Sequence, residues 1–280
     1  MCHSVNIPYQ SITSMNSSLD MIFPGIEYGD SQVVFKRIEK EAAKLETLLS
    51  CYDTEAETYQ VNLKAREGWV TVSHPLWKIL KECVYYNHLT LGYFDIGLKF
   101  FKQNPTLIHH NDRPELYGIS SIEFRNESQS IRFQNKTTSI DFGAIGKGLL
   151  LKEIDKILTE FGVKHCFISF GGSSILTRGT HPHGTSWPVT LRNSSGDHNV
   201  FHLNNDSASF SGAILESSFG ETYHIVHPKR LEMIQSKRLT FVQCKCPVLA
   251  EVLSTSLVAA DTVDIPKIIS NANPIKAHVF

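Results

Sequence analysis

The segment from Ser139 to Gly172 holds the side chains best suited to chemistry. It begins SIDFGAIGKG, and a second pair of glycines, Gly171-Gly172, ends it. Glycine permits positive φ and lets a ligand approach the backbone closely. Lys147 stands at a predicted helix start, where a cation lies beside exposed N–H groups, so this turn is a candidate phosphate site. The alternative is a tight strand-to-helix turn whose glycines serve packing alone.

Two familiar nucleotide motifs are absent from this turn. The G-x-x-x-x-G-K-[ST] spacing of a P-loop does not occur, and neither does the G-x-G-x-x-G fingerprint of dinucleotide-binding folds. The sequence therefore gives no support for either of those architectures.

Glu251 and Thr255 are four residues apart on a predicted helix, so they share one face. A carboxylate and a hydroxyl suit a hard cation such as Mg²⁺, which takes a few protein oxygens together with ligand phosphates and water. The alternative is a solvated glutamate and a threonine that bonds back to its own helix.

Two of the closely spaced histidine pairs are considered for a functional role. His224 and His227 lie three apart in an apolar stretch. On a strand they point to opposite faces, so we do not expect a shared metal. Imidazole titrates near neutral pH, which makes His224 a candidate general base, with a structural role as the alternative. His109 and His110 are predicted to be surface residues.

The elements that position these residues indicate an α+β fold. Apolar residues three and four apart predict three helices, besides the one that follows the glycine turn, over 31–49, 74–89 and 247–261. We expect Asp30 or Ser31 to cap the first of them, and Ser73 the second. Alternation predicts a hairpin and further strands at 18–27, 122–126, 130–134, 166–170, 222–228 and 239–245. We predict a polar loop over 49–62. For the chain as a whole we predict an irregular start over 1–14, a single domain over 15–265 and a C-terminal extension over 266–280.

The composition excludes several classes of protein. The 280 residues are 41% hydrophobic with a net charge of −1, so no basic excess favours nucleic acid. No apolar run is long enough to span a membrane. Six cysteines without a metal-binding spacing predict a reduced, cytoplasmic protein. The alternative is a membrane-anchored lipoprotein cut at its signal peptide, with Cys2 as the lipid-carrying residue.

Seven segments, taken in chain order, resemble motifs of one family, the FAD:protein FMN transferases or ApbE-like proteins. The resemblance covers residues 15–265, and its segments are Met15, LLSCYDTEAETYQVN, Tyr93-Phe94-Asp95, SIDFGAIGKG, CFISFGGSSILTRG, YHIVHP and AEVLSTSL.

This resemblance implies an Mg²⁺-dependent enzyme that cuts FAD, attaches FMN to a threonine or serine of an acceptor protein, and releases AMP. It implies a nucleotide site formed by Met15, Tyr52, Tyr93, Phe94, Asp95, Asp141, Lys147 and Ile225. It implies that the Ala144 carbonyl, Glu251 and Thr255 hold Mg²⁺ and that His224 is the base.

The chain departs from the family pattern at three acidic positions, which here are Ser173, His227 and the longer Glu251. Fewer carboxylates around a hard cation weaken its binding. Two alternatives follow. One is a degenerate relative that binds a flavin or adenine nucleotide without transferring it, and the other is a slow FAD pyrophosphatase in which water replaces the acceptor hydroxyl.

Overall fold

The computed structural model describes residues 7–105, 113, 116–192, 198–217 and 220–280. Its α-helices are Tyr28–Leu49 (α1), Glu57–Lys64 (α2), His74–Leu89 (α3), Lys99–Gln103 (α4), Gly146–Glu160 (α5), Pro247–Ala259 (α6) and Ile265–Ala272 (α7). Its strands are Tyr9–Ser14 (β1), Ser17–Ile22 (β2), Val70–Thr71 (β3), Ile122–Arg125 (β4), Ser130–Phe133 (β5), Cys166–Phe170 (β6), Ser174–Arg178 (β7), Trp187–Arg192 (β8), His198–Leu203 (β9), Ser207–Gly212 (β10), Ile214–Ser217 (β11), Gly220–Tyr223 (β12), Val226–His227 (β13), Glu232–Met233 (β14), Leu239–Cys244 (β15) and Lys276–Val279 (β16).

A seven-stranded antiparallel sheet forms the centre, in the order β1-β2-β6-β7-β10-β15-β16. Smaller antiparallel sheets, among them β3-β5-β4, complete the strand content of the described residues. Helices and antiparallel sheets in one chain confirm the predicted α+β class.

Both faces of the central sheet are covered. On one face, Met21 of β2 and Ile168 of β6 share a buried cluster with Val34 of α1. On β15, Val242 packs with residues of α6 and α7, while its neighbour Phe241 packs with the β8–β9 hairpin. Because successive strand residues point to opposite faces, burial on both sides explains why β15 is almost continuously buried.

Helices α5 and α6 approach each other closely at Gly148. A Cβ placed there would lie 2.8 Å from the Pro247 carbonyl oxygen and 2.9 Å from Glu251 Cγ and Val248 Cα. Real Cβ atoms do not tolerate such distances from backbone, so the helices could not keep this spacing with a larger residue. Gly148 thereby fixes the distance between the glycine turn and the helix that carries Glu251.

The predicted long helices and the hairpin are confirmed. Helix α1 buries Val34 and Ile38 of its predicted stripe, and Ser73 caps α3 by accepting a hydrogen bond from the Leu76 N–H at 3.4 Å. Strands β4 and β5 pair as expected. The predicted cap of α1 is wrong, because that helix begins at Tyr28 and makes no side-chain cap hydrogen bond.

The irregular start predicted for 1–14 is wrong from Tyr9 onward, because β1 pairs with all six residues of β2. Met15 and Asn16 connect the two strands with φ values of 47° and 57°. Two consecutive positive φ values are typical of a type I′ hairpin, which Asn-Gly usually forms. Met-Asn lacks that signal, and β1 has too few apolar residues to reveal itself by alternation.

Three other assignments change. Helix α2 forms within and beyond the loop predicted for 49–62, where the Thr58 hydroxyl donates to the Leu48 carbonyl at 2.7 Å. The strand predicted for 222–228 is interrupted, with His224 between β12 and β13. Segment 266–280 contains most of α7, whose Ile268 is buried, and β16, which pairs with β15. The division of the chain into domains stays a prediction.

We expect Gly148→Ala to lower the free energy of unfolding by about 1–3 kcal/mol, because overpacking against backbone forces the helices apart. Urea denaturation measures this change. Gly29→Ala is the matched control, since Gly29 lies in α1 and its added methyl group would meet no other atom within 4 Å. Equal stability of the Gly148 variant and the wild type would contradict the close-approach explanation.

Candidate active-site cleft

A cleft of about 490 Å³ opens where the glycine turn, the middle of α6 and the end of β10 meet. This volume lies in the range of small-molecule sites. Ten of the twelve candidate residues line the cleft: Tyr93, Phe94, Asp95, Asp141, Ala144, Lys147, His224, Ile225, Glu251 and Thr255.

The start of the glycine turn is held by a residue far away in sequence. The Asn62 side chain on α2 donates to the Ile140 carbonyl at 2.9 Å and accepts from the Ile140 N–H at 2.7 Å. Asp141 then closes the turn, because its Oδ1 accepts from the Gly143 N–H at 2.8 Å. These bonds fix the backbone that leads to Ala144.

Glu251 is a buried carboxylate held by hydroxyl groups. Its Oε1 accepts from Ser174 Oγ at 2.6 Å and from Ser209 Oγ at 2.5 Å, and its side chain is only 6% exposed. Ser254 extends the network, since its hydroxyl lies 2.8 Å from that of Ser209. The hydroxyls come from β7, β10 and α6, so one carboxylate oxygen joins three elements.

Lys147 faces the second oxygen of this carboxylate. Its Nζ lies 3.9 Å from Glu251 Oε2 and donates a short hydrogen bond to Ser173 Oγ. Ser173 occupies the position at which the family pattern has an acid, and here it is an acceptor for the lysine. The Lys147 side chain remains 21% exposed and lines the cleft.

Two oxygen atoms of the expected cation site are without a partner in the described part of the chain, and the third, Glu251 Oε2, is paired with the ammonium group of Lys147 at 3.9 Å. No backbone N–H donates to the Ala144 carbonyl, no hydrogen bond involves the Thr255 hydroxyl, and no hydroxyl donates to Glu251 Oε2. Oxygen donors of this kind fit a hard divalent cation. The set has a single carboxylate, and the described residues contain no group of three or more His, Cys, Asp and Glu side chains suited to a metal.

Tyr93 anchors one wall of the cleft to the segment after α6. Its hydroxyl lies 2.9 Å from Asp261 Oδ2 and 2.7 Å from Asp264 Oδ2, while Lys229 Nζ lies 3.9 Å from its ring centroid. Hydrogen bonds from Arg230 and Tyr93 lower the pKa of Asp261 to about 2. The carboxylate is therefore ionised whenever the protein is folded near neutral pH.

Asp95 ties the Tyr93-Phe94-Asp95 segment to a neighbouring loop. Its Oδ1 accepts from the backbone N–H groups of Gly97 at 2.7 Å and Ile119 at 2.9 Å. Burial raises the pKa of this carboxyl to about 7, against the opposing effect of those two hydrogen bonds. Asp95 thus has a structural task in addition to lining the cleft.

His224 lies in the gap between β12 and β13. Its backbone N–H donates to the Ala213 carbonyl at 3.3 Å, and its buried Nδ1 has no hydrogen-bond partner among the described residues. Burial, followed by the charges of Lys102 and Lys147, lowers the pKa of the imidazole. The ring is therefore neutral at neutral pH and able to accept a proton.

The remaining two candidates, Met15 and Tyr52, do not line the cleft. Met15 sits on the β1–β2 turn, and its sulfur lies 3.3 Å from the position that a Cβ on Gly146 would take. Tyr52 is 61% exposed, and Lys99 Nζ lies 4.4 Å from its ring centroid. Lys99 does line the cleft, so Tyr52 adjoins its rim through that lysine.

His227 is buried behind the cleft wall. Its ring meets the Tyr93 ring edge-on with centroids 5.6 Å apart, and its Nε2 lies 3.6 Å from Asp261 Oδ1. Burial is the main cause that lowers the pKa of the His227 imidazole.

Three residues named in the sequence analysis, Cys2, His109 and His110, lie outside the described residues.

The sequence profile of the ApbE family matches residues 13–279, nearly the whole chain. The chain belongs to the ApbE family. No curated protein sequence matches it significantly.

Solved ApbE structures share the fold of this ApbE chain. Flavin transferase ApbE from Vibrio cholerae superposes with a TM-score of 0.82 at 17% identity, over 98% of this chain and 93% of that one. The apo flavinyl transferase ApbE from Pseudomonas stutzeri gives 0.81 at 15% identity, over 97% and 90%. The ApbE protein from Thermotoga maritima gives 0.81 at 16% identity, over 98% and 93%.

Some residues that build the ApbE cleft carry no recognisable signal in the sequence. Ser174 and Ser209 hold Glu251, but single serines in strands match no motif. Asn62 stands at the end of a predicted loop, and Lys102 belongs to a short helix without periodicity.

In the part of the chain that the structure describes, no helix is both long and apolar enough to cross a bilayer.

We expect Glu251→Ala to lower the free energy of unfolding by about 2–4 kcal/mol, because it leaves Ser174 and Ser209 without an acceptor and Lys147 without a counter-charge. Glu251→Gln keeps an acceptor for the two hydroxyls and should cost less than half as much. Urea denaturation of both variants checks the difference. If both unfold like the wild type, the carboxylate does not hold these elements together.

Proposed function

We propose that this ApbE chain transfers FMN from FAD to a threonine or serine hydroxyl of an acceptor protein and releases AMP, with Mg²⁺ as cofactor. The observation that carries the proposal is the meeting of three groups in one cleft: the cation Lys147 on the glycine turn, the oxygen donors on α6, and the neutral imidazole of His224. Membership of the ApbE family supports the same reaction.

We assign the binding of FAD to side chains that line the walls of the cleft. Phe94 and Ile225, which line the cleft but are only 1% and 8% exposed, form the apolar wall that we assign to the flavin ring, and Lys147 offers its ammonium group to the diphosphate. Tyr93 and Asp95, held by the bonds described above, position that apolar wall. Met15 and Tyr52 lie at the margin, so we assign them to a part of the nucleotide that extends beyond the cleft.

The cation site is assigned to three oxygen donors, one of which, Glu251 Oε2, also lies 3.9 Å from Lys147 Nζ. Ala144, Glu251 and Thr255 would hold Mg²⁺ through a carbonyl, a carboxylate and a hydroxyl oxygen. When bound, Mg²⁺ neutralises charge on the diphosphate and makes the phosphorus more open to attack. Because the set has one carboxylate, we expect the protein alone to bind the cation weakly and the diphosphate to complete the site.

We assign the role of general base, which removes the proton of the acceptor hydroxyl, to His224. As the acceptor hydroxyl oxygen forms a bond to the FMN phosphorus, His224 takes the hydroxyl proton. The bond between that phosphorus and the bridging oxygen breaks, and AMP leaves with the electron pair. The products are an FMN phosphodiester on the acceptor, AMP and a protonated imidazole, which returns its proton to solvent.

Covalent labelling tests this proposal. The chain is incubated with FAD, Mg²⁺ and a flavin-acceptor domain, and the denatured acceptor is assayed for covalent flavin fluorescence. We expect labelling that requires the acceptor hydroxyl and Mg²⁺ and that falls at least about a hundredfold in His224→Ala, since removal of a general base typically costs that much. Absence of labelling at high enzyme concentration would reject transferase activity.

The same experiment separates the two alternatives. The serine at position 173 and the Lys147–Glu251 pair favour a relative that binds a flavin nucleotide without transferring it. Such a protein would bind FAD in a fluorescence titration, label no acceptor and release no AMP. Release of FMN and AMP without an acceptor would identify a pyrophosphatase.

The proposed compartment is the cytoplasm, which cell fractionation tests.

The pH dependence of labelling follows from His224. A base acts when it is neutral, and burial together with Lys102 and Lys147 lowers the pKa of this imidazole. The rate should therefore stay constant as pH falls from 8 through the ordinary histidine value of about 6.5 and decline only below it. A rate that already declines above pH 7 would show that another group controls the reaction.

A further inference from the structure

Lys102 is a cleft cation that no motif of the sequence marks. Lys102 lies on helix α4 and lines the cleft, and its side chain is 37% exposed. Its Nζ lies 3.3 Å from Asp141 Oδ2 at the start of the glycine turn. A lysine that keeps this much solvent exposure inside a cleft is accessible to a ligand.

We infer that Lys102 binds a phosphate group of the nucleotide and that Asp141 acts through it as a positioning residue. This inference rests on the proposed function, because it takes the cleft to be a flavin-nucleotide site. It changes the assignment of Asp141, which the family resemblance treats as a nucleotide contact.

The surroundings of Asp141 support this change. One carboxylate oxygen accepts from the Gly143 N–H at 2.8 Å and the other faces Lys102. A carboxylate has no proton to donate to a phosphate and repels it, so Asp141 cannot itself attract that group. It can hold Lys102 over the glycine turn and so keep the ammonium group within reach of a ligand there.

Two other lysines, Lys99 and Lys147, line the cleft beside Lys102. Lys99 donates to the Cys51 carbonyl at 2.6 Å and lies over the Tyr52 ring, so it is committed to the rim. Lys147 is held between Ser173 and Glu251. Lys102, Lys147 and His224 line the same cleft, and both cations contribute to the lowered pKa of the imidazole. Two cations beside one base match the two phosphates of a dinucleotide.

Flavin titrations test the role of Lys102. Binding of FAD, FMN and riboflavin is measured by fluorescence for the wild type, Lys102→Met and Lys102→Arg. We expect Lys102→Met to weaken FAD and FMN by about tenfold, the usual scale for a hydrogen bond to a charged group, and riboflavin by less than about twofold. Lys102→Arg should restore most of the loss. The control is Lys40→Met, on the exposed side of α1.

A double-mutant cycle tests the role of Asp141. If it acts through Lys102, Asp141→Asn weakens FAD in the wild type and adds little in the Lys102→Met background. Additive losses would instead make Asp141 an independent contact. Circular dichroism of each variant checks that the fold is intact.

The outcomes separate this inference from the proposed function. Equal loss of riboflavin and FAD, or no loss at all in Lys102→Met, overturns the inference while wild-type labelling stands. Phosphate-selective loss in a protein that labels no acceptor upholds the inference and rejects the transferase. A wild type that binds none of the three flavins overturns both.

Discussion

The buried carboxylate of Glu251 is the contact on which the site depends. An isolated charge with 6% exposure would be costly, and it persists here because hydroxyls from β7 and β10 and the ammonium group of Lys147 surround it. The same residue lies against Gly148, which lets α5 approach α6. The glycine turn and the sheet are thus held at a fixed distance by one side chain, and the cleft exists because that distance is kept.

The two oxygens of this carboxylate have different tasks. Oε1 accepts hydrogen bonds from Ser174 and Ser209 and therefore belongs to the fold, while Oε2 is paired with Lys147 at 3.9 Å. Replacing the expected acid with Ser173 removes a charge beside this oxygen and gives the lysine a hydroxyl acceptor instead. Under the proposed function, the lower negative charge makes cation binding depend more on the diphosphate of FAD than it would in a carboxylate-rich site.

Strong local patterns predicted much of this architecture. The stripe of α1, the Ser73 cap of α3 and the order of glycine turn, α5 and β6 all follow from residues close in sequence. Sequence reasoning failed where distant partners decide the structure. Helix α2 presents Asn62 to Ile140, 78 residues away, and nothing near Asn62 reveals that pairing. Likewise β1 is polar and precedes its partner β2, and the Met15-Asn16 turn lacks the usual glycine.

The segment after α6 takes part in the site through Asp261 and Asp264, which precede the extension predicted for 266–280. Tyr93 lines the cleft, and its hydroxyl is held by Asp261 and Asp264, which lead into α7. Lys229 lies over the same ring and also pairs with Asp264 at 3.2 Å. Since a phenol donates one proton, the two carboxylates share it and need the nearby cations to remain ionised together. The orientation of the aromatic wall is therefore set by charges outside the cleft.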